Sequence, residues 1–443
     1  MTMTATMTVE ATAPTSEVPA AVFETILCEH LADPRATLRS CTSAPFAHEG
    51  TNDSTTFYRV TLTWTRQSHG WAVETATWIL KHWRAGGQRD RTLGITQSRE
   101  VLAWEAGWLR PSALPDGVIV PLIGVWRAPG NREAWLAMTD VSTELAAFPR
   151  MGLSAEQVIS RSQAILAHLA RFHALWERPG RWSALQSATW LRRPESYLWD
   201  MAPTYARALG RLPHEEAPAT ASAPPVWDGL SADLAAFLTA RPADERRLWE
   251  HLLVDRQALV DGLTAYPQTL LHNDLDDRNI GLHWAKDRSA LDQPDPFVSH
   301  RTSLVLIDWE WLALGPAALD VANILQRIPV LIMLGSPVGA VIPPVVWSDA
   351  LLGGYFAHYR AAGGRCIDAN GWRRACGLAL IVQGLAQMPF MQGSLRRVIR
   401  GEIPPPQLTG IPDEVMRAHL QGSLPIMEQM EQRVIREARR WLV

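Results

Sequence analysis

The sequence predicts an α+β protein, with a small, mostly antiparallel sheet unit ahead of a larger, mostly helical one. Three observations carry this. Residues 57–64 and 72–83 are β-rich runs on either side of a Ser-His-Gly turn, as an antiparallel pair requires. Apolar residues recur at helical spacing over 155–176 and through most later segments. The character of the chain changes after Asp140, which gives a sheet unit over 21–140 and a helical unit over 141–443, preceded by a tail over 1–20.

Taken in order, the first twenty residues lack both a basic start and a continuous apolar stretch, so they read as a flexible tail rather than a signal peptide. Residues 23–31 begin a short helix, and the strand pair follows. Residues 98–109 have helical spacing and Pro111 ends them. Two more strands are expected over 118–125 and 134–138. The helix over 155–176 is amphipathic and closes at the Arg-Pro-Gly after Glu177. Further helices are expected over 194–212, 231–239 and 244–264, with a Pro/Ala/Ser-rich linker over 213–225. Two short apolar strands, 279–284 and 303–309, flank a polar segment, 286–302, that is long for a hairpin connection. Helices resume to the end, the last over 427–442. The uncharged stretch 330–347 is nearly long enough to span a bilayer. Its three prolines, two glycines and a serine favour buried or interface packing, so no membrane partner is expected.

Composition narrows the function classes. The 443 residues are 47% hydrophobic and 20% charged, which suits a packed core and excludes a disordered chain. Lys+Arg 42 against Asp+Glu 45 leaves a net charge of -3, so no basic field argues for a nucleic-acid partner. The four cysteines, Cys28, Cys41, Cys366 and Cys376, form no Cys-x-x-Cys pair; neither a disulfide framework nor a zinc site is indicated, and a cytoplasmic location is expected. The basic residues are 40 Arg and only two Lys, Lys81 and Lys286. A lysine retained in so arginine-rich a chain marks a place that wants a compact ammonium rather than a planar guanidinium. Lys286, beside Asp287 in a polar loop, reads as surface. Lys81 ends an apolar strand and does not.

The chemistry concentrates in His272-Asn273-Asp274-Leu275-Asp276-Asp277-Arg278-Asn279 and in Ile307-Asp308-Trp309-Glu310. Phosphoryl transfer needs a carboxylate to take or orient the proton of the attacking hydroxyl, and two oxygen ligands to hold magnesium on the nucleotide phosphates. Asp274 and Asn279, on one loop entering a strand, can serve the acceptor and the metal, and Asp308 at the end of the next strand supplies a charged second ligand. An Asp-rich turn joining two strands would be the bland reading. Against it stand, in order, a strand lysine (Lys81), a helix glutamate nineteen residues later (Glu100), and the loop with its later aspartate.

These motifs resemble the aminoglycoside phosphotransferase and choline-kinase-like superfamily. The matching text is His272-Asn273-Asp274 through Asn279, Ile307 to Glu310, and Gly315-Pro316 with Asp320-Val321-Ala322; Leu169 to Ala174 and Trp135 to Ser142 are similar to two further stretches. The resemblance covers roughly residues 44–328 and implies a bilobal, protein-kinase-like fold. It also implies Asp274 as catalytic aspartate, Asn279 and Asp308 as magnesium ligands, Lys81 at the nucleotide phosphates and Glu100, rather than Glu105, as its partner. His272 and Asp320 would support the loop, and Asp277 would cap it. His173 reads as a packed core histidine. Met138 and Asp140 lie in the segment that would meet the adenine. Two departures stand out: Asn273 replaces the usual glycine, and no Gly-x-Gly-x-x-Gly exists, so the loop over 49–56, with Ser54 and Thr55, takes the nucleotide role by default. The cofactors implied are Mg2+ and ATP, with GTP as the alternative. The acceptor is expected to be a hydroxyl of a small molecule (sugar, amino alcohol or natural product). A precursor peptide's Ser or Thr is the alternative, and a nucleotide-binding pseudokinase scaffold a third reading.

Overall fold

Alternation along two long strands builds the first unit. The structure, a computed structural model, describes residues 18–31, 36–46, 54–66, 72–86, 96–142, 154–197, 205–206, 209, 226–276, 278–284, 302–335, 348–365, 367–404 and 413–442. In chain order the strands are β1 (Thr37–Pro45), β2 (Thr55–Arg66), β3 (Ala72–Arg84), β4 (Val118–Ile119), β5 (Leu122–Arg127), β6 (Glu133–Thr139), β7 (Thr269–Leu271), β8 (Ile280–Trp284), β9 (Thr302–Leu306) and β10 (Ala313–Gly315). Five of them form one sheet in the order β1-β2-β3-β6-β5, antiparallel throughout. Val60, Leu62, Trp64, Trp78 and Leu80 fall on one face and bury against helix α1 (Ala20–Leu31) through Val22, Phe23, Ile26 and Leu27. Burying each such side chain stabilises the unit by about 1.5–3 kcal/mol. The register pairs Phe57 with Lys81 and Lys81 with Leu136, which places Lys81 on the opposite face in a central strand.

Three details differ from the sequence reading. β1 was not anticipated, because its Ser/Thr-rich text is an edge strand with mostly exposed side chains. The expected strand over 118–125 is two strands, broken at Pro121, which has no N–H for a ladder and whose carbonyl accepts from the Thr139 N–H at 2.9 Å. The helix expected over 98–109 is α2 (Arg99–Glu105); Gly107, at φ +77°, turns the chain out of it while its N–H donates to the Trp104 carbonyl. β4 pairs in parallel with β9, Val118 against Leu304 and Ile119 against Val305. Through that pairing the first unit comprises Met1–Ala146 together with Ser303–Glu310, so Asp308 groups with the sheet rather than with residues 141–443.

The second unit, Ala147–Thr302 with Trp311–Val443, is helical. Its helices are α3 (Ala155–Trp176), α4 (Pro179–Ser187), α5 (Pro194–Tyr197), α6 (Val226–Thr239), α7 (Ala243–Val254), α8 (Gln257–Thr264), α9 (Ala318–Gly335), α10 (Ser348–Ala361), α11 (Ala369–Ile399) and α12 (Asp413–Trp441). The start of α3 is fixed by a capping box in which the Ser154 hydroxyl accepts from the Gln157 N–H and the Gln157 side chain accepts from the Ser154 N–H. The single helix expected over 244–264 is split into α7 and α8. Asp255 is extended there, and its carboxylate accepts from the Gln257 N–H at 3.2 Å, which restarts the helix after a change of direction. Of the helix expected over 194–212, Pro194–Tyr197 is α5 and residues 205–206 are helical; most of its remainder, the linker 213–225, residues 1–17 of the tail expected over 1–20, the segment 285–301 and residues 336–347 lie outside the described residues.

α11 is the spine of this unit and packs against α6, α9 and α12. Among the described residues it is the one helix long and apolar enough to cross a membrane, and its most apolar window is 72% buried within the protein. Arg241, just beyond α6, ties three of these helices together. Its guanidinium pairs with Glu431 of α12, donates to Gln392 of α11 and reaches back to the Phe237 carbonyl; Arg241 and Glu431 are both buried. Removing one partner would strand a buried charge. Glu431→Ala is therefore expected to lower stability by about 3–5 kcal/mol, read as a fall in the urea midpoint. A shift under about 1 kcal/mol would place the pair among surface bridges.

Candidate active site

In the first unit the chemistry gathers at Lys81. Its Nζ donates to Glu100 Oε2 at 2.8 Å and to Asp308 Oδ1 at 2.6 Å, with Glu310 Oε1 at 3.7 Å. The Lys81 and Glu100 side chains are buried, at 4% and 1% exposed, while that of Asp308 is 37% exposed. Burial works against the ammonium, but Asp308, Glu100 and Glu310 together outweigh it and hold the Lys81 pKa well above its ordinary value. The lysine therefore stays charged through the physiological range. Glu100 reaches it because Ser98 caps α2 and sets Glu100 in the first turn, whereas Glu105, at the other end of that helix, is drawn to Arg127.

Asp308 sits two residues beyond β9 with φ +60°, a left-handed backbone that non-glycine residues rarely adopt. The adjoining Trp309 is fully buried and its indole N–H donates to the Leu306 carbonyl at 3.3 Å. That anchor fixes the turn and presents the Asp308 carboxylate. Arg99 adds a hydrogen bond to the Glu310 carbonyl at 3.3 Å.

In the second unit a loop follows β7, which pairs antiparallel with β10. Asp320, buried at the start of α9, accepts the His272 N–H at 2.9 Å and the Asn273 N–H at 2.8 Å on its two carboxylate oxygens. Asn273 takes φ +61°, which asparagine enters more readily than most residues; its presence in place of glycine is thus accommodated. His173 Nε2 lies 3.2 Å from Asp320 Oδ2, and its Nδ1 lies 2.8 Å from the Tyr355 hydroxyl. With the proton on Nε2, the ring donates to Asp320 and accepts from Tyr355. His173 is thus buried as expected, but it also orients the loop's anchor. Further along, Asn279 Nδ2 donates to the Asp274 carbonyl and to Asp274 Oδ2, each at 3.1 Å, while Asp274 remains partly exposed.

The sequence reading passed over Asp276. It is buried, accepts from Arg278 Nε at 3.0 Å and pairs with Arg327 of α9 at 2.6 Å, which pins the loop between Asp274 and Asn279 to that helix. Three consecutive charged residues at 276–278 gave no means of telling an anchor from a solvated face. Asp277 lies outside the described residues. Replacing Asp320 should test the anchoring directly. Asp320→Ala is expected to cost about 2–3 kcal/mol, since two backbone N–H groups lose a charged acceptor. Thermal unfolding reports the loss, and an unchanged midpoint would contradict the anchoring role.

The remaining expected site residues divide. Thr55 pairs with Trp83 and Met138 with Ile79, so the register puts Thr55, Lys81 and Met138 on one face of the sheet. Ser54 and Thr55 are buried at the open end of the β2–β3 hairpin, where the Ser54 carbonyl accepts from the Arg84 N–H; residues 49–53 lie outside the described residues. Asp140 pairs with Arg59 at 3.2 Å and accepts from the Ser142 N–H and hydroxyl. Burial would raise its pKa, but the Ser142 bonds and Arg59 prevail and lower it. Taken each by itself, the two expected metal ligands carry donors of the right kind. Asn279 commits Nδ2 to Asp274, which leaves Oδ1, and the Asp308 carboxylate of the first unit is half-exposed; hard oxygens of this type are what magnesium takes.

No protein-family model and no curated protein matches this chain. Solved structures do show similarity. An aminoglycoside phosphotransferase from Alicyclobacillus acidocaldarius is 15% identical, with 97% of this chain and 98% of that one covered, at a TM-score of 0.38. A GDP complex of an aminoglycoside 2'-phosphotransferase IIIa variant is 10% identical over 93% and 96% of the two chains, at 0.40. The choline kinase LicA from Streptococcus pneumoniae is 10% identical over 87% and 93%, at 0.35.

Proposed function

We propose that this chain is a phosphotransferase that moves the γ-phosphate of Mg-ATP to a hydroxyl of a small molecule. The observation that carries the reading is the Lys81 ammonium, one of two lysines in the chain, paired at once with Glu100 and with Asp308, 227 residues away. Such a lysine, held charged by carboxylates on a sheet face with Thr55 and Met138, is suited to meet nucleotide phosphates. Glu100 keeps it extended and charged. Asp308 and Asn279 are the residues that would hold magnesium, which supplies charge neutralisation on the phosphates. Asp274, steered by the Asn279 amide, orients the acceptor hydroxyl. As the acceptor oxygen bonds to the γ-phosphorus and the bond to the β-phosphate oxygen breaks, Asp274 accepts the hydroxyl proton. The Tyr355–His173–Asp320 relay holds the backbone at residues 272–273 and so sets the position of Asp274.

The test is transfer of label from γ-labelled ATP to a panel of hydroxyl-bearing sugars, amino alcohols and serine peptides, with Lys81 variants alongside. Lys81→Ala is expected to lower kcat about a hundredfold or more, as loss of a charge contact to the transferring group does. Lys81→Arg should not restore it, because a forked guanidinium does not reproduce a point charge between three carboxylates. Full activity in the arginine variant would overturn the role given to Lys81. Transfer to peptides alone would overturn the small-molecule acceptor, and tight Mg-ATP binding with no transfer or hydrolysis would leave a scaffold.

A further inference from the structure

A cavity of about 1280 Å³ opens in the second unit between α10, the first half of α11 and the second half of α12. It is larger than most ligand pockets, which run to about 1,000 Å³. Leu352, Phe356, Trp372, Leu380, Met430 and Val434 supply an apolar lining. Among the described side chains, its α9 wall is made by Leu325 and Gln326. At 3.6 residues per turn, these side chains point about 120–140° round the helix from Asp320. The cavity therefore lies across α9 from the loop that Asp320 anchors, and neither Asp274 nor Asn279 lines it.

Charge gives the cavity a polarity. Among the described residues, the charged groups facing it are Asp349 from α10, Arg373 from α11, and Glu428, Arg433, Arg436, Glu437 and Arg440 from α12. Two of the three acids are already engaged: Glu428 pairs with Arg396 at 2.7 Å, and Glu437 accepts from the Trp441 indole N–H at 2.7 Å. Arg440 stacks over Trp441 at 4.5 Å. Arg433 is partly buried and makes no side-chain hydrogen bond or ion pair within 4 Å with a described residue. Burial pulls its pKa below the ordinary arginine value and nearby Arg436 adds to this, against the attraction of Asp349, Glu437 and Cys376. Asp349 and Glu437 act on Arg433 at a distance, more strongly than Arg436 does, but among the described residues none closes an ion pair or hydrogen bond with it, so a half-buried guanidinium beside an apolar cavity is left to take a directly bound anion.

We propose that this cavity is a binding site, separate from the Asp274 loop, for an amphipathic organic anion whose apolar body fills the Phe356–Trp372–Met430 walls and whose carboxylate or phosphate head meets Arg433. A bidentate contact to Arg433 replaces the water lost to its burial. The site does not depend on the phosphotransferase reading.

Isothermal titration of the full chain with decanoate tests this, with decanol as the uncharged control and decyl phosphate as the second head group. Decanoate is expected to saturate one site below about 1 mM, and decanol to bind at least about tenfold more weakly. Arg433→Met should weaken decanoate by about tenfold or more while leaving decanol unchanged. Gly353 lines the cavity, and a Cβ there would meet nothing within 4 Å. Gly353→Phe therefore adds its ring from an open, exposed position on the cavity wall and should abolish binding of both ligands with the melting temperature retained. It keeps the test decisive if Arg433→Met fails to fold. Tighter binding of decyl phosphate than decanoate would assign a phosphate head, and the reverse order a carboxylate. Equal affinity for decanoate and decanol, indifference to Arg433→Met, binding that survives Gly353→Phe, or no saturation would each overturn the site.

Discussion

Asp274→Asn is expected to bind Mg-ATP as the wild type does while transfer falls by about a hundredfold to ten-thousandfold. The two halves of that expectation have separate causes. Asn279 Nδ2 donates to both the Asp274 carbonyl and its Oδ2, and the carbonyl bond survives the substitution. An asparagine oxygen can still occupy the Oδ2 position, so the loop and the Asn279 amide keep their geometry. Lys81, Glu100 and Asp308 belong to the other unit and are untouched. What is lost is a negatively charged oxygen able to receive the acceptor's proton. Calorimetry with Mg-ATP and a transfer assay on the same preparation separate the two. Transfer within twofold of wild type would remove Asp274 from the chemistry, and a parallel loss of Mg-ATP affinity would make it a nucleotide ligand instead.

How much of this could be read from the sequence depended on whether a signal was local. The helix over 155–176 was legible to the residue because its apolar period is unbroken and the Arg-Pro-Gly closes it; the Ser154–Gln157 cap fixes the same start. The break between α7 and α8 was not, since Asp255 and Arg256 sit inside an apolar period that continues across them. β1 escaped notice because an edge strand needs few apolar residues. At the candidate site, Lys81 announced itself through the scarcity of lysine, and Glu100 through its place on a helix nineteen residues later. Glu310 as a third carboxylate on Lys81, and Asp276 as a bridge to Arg327, depend on contacts between distant segments and carry no local pattern. The His173–Asp320 contact belongs with these: a buried histidine on an apolar helix looks like core until its partner, 147 residues on, is placed beside it. The grouping of Asp308 with the first unit has the same origin, for the parallel pairing of β9 with β4 and the contact with Lys81 draw it there.

That grouping shapes the second large effect. Asp308→Asn is expected to lose the magnesium-dependent part of ATP affinity and, with it, turnover, while ATP affinity without magnesium stays level or rises. The fold should tolerate the change. The Asp308 side chain is 37% exposed, and asparagine enters the left-handed backbone at φ +60° about as readily as aspartate. Lys81 would keep Glu100 at 2.8 Å and Glu310 at 3.7 Å and remain an ammonium. Removing one carboxylate from that cluster leaves its net charge more positive, which favours the bare phosphates when no metal is present. With magnesium present the balance reverses, because the ion loses its charged protein ligand and holds a neutral amide in its place. Asp308→Ala adds a control: alanine lacks the local hydrogen bonding that lets aspartate and asparagine sit at φ +60°, so it should cost an extra 1–2 kcal/mol or so of stability that the asparagine variant does not show. Calorimetric titration of ATP with and without magnesium, on the wild type and both variants, reads all of these terms. Undiminished magnesium-dependent affinity in Asp308→Asn would mean that Asp308 serves only as the partner of Lys81, and the metal would have to be sought elsewhere.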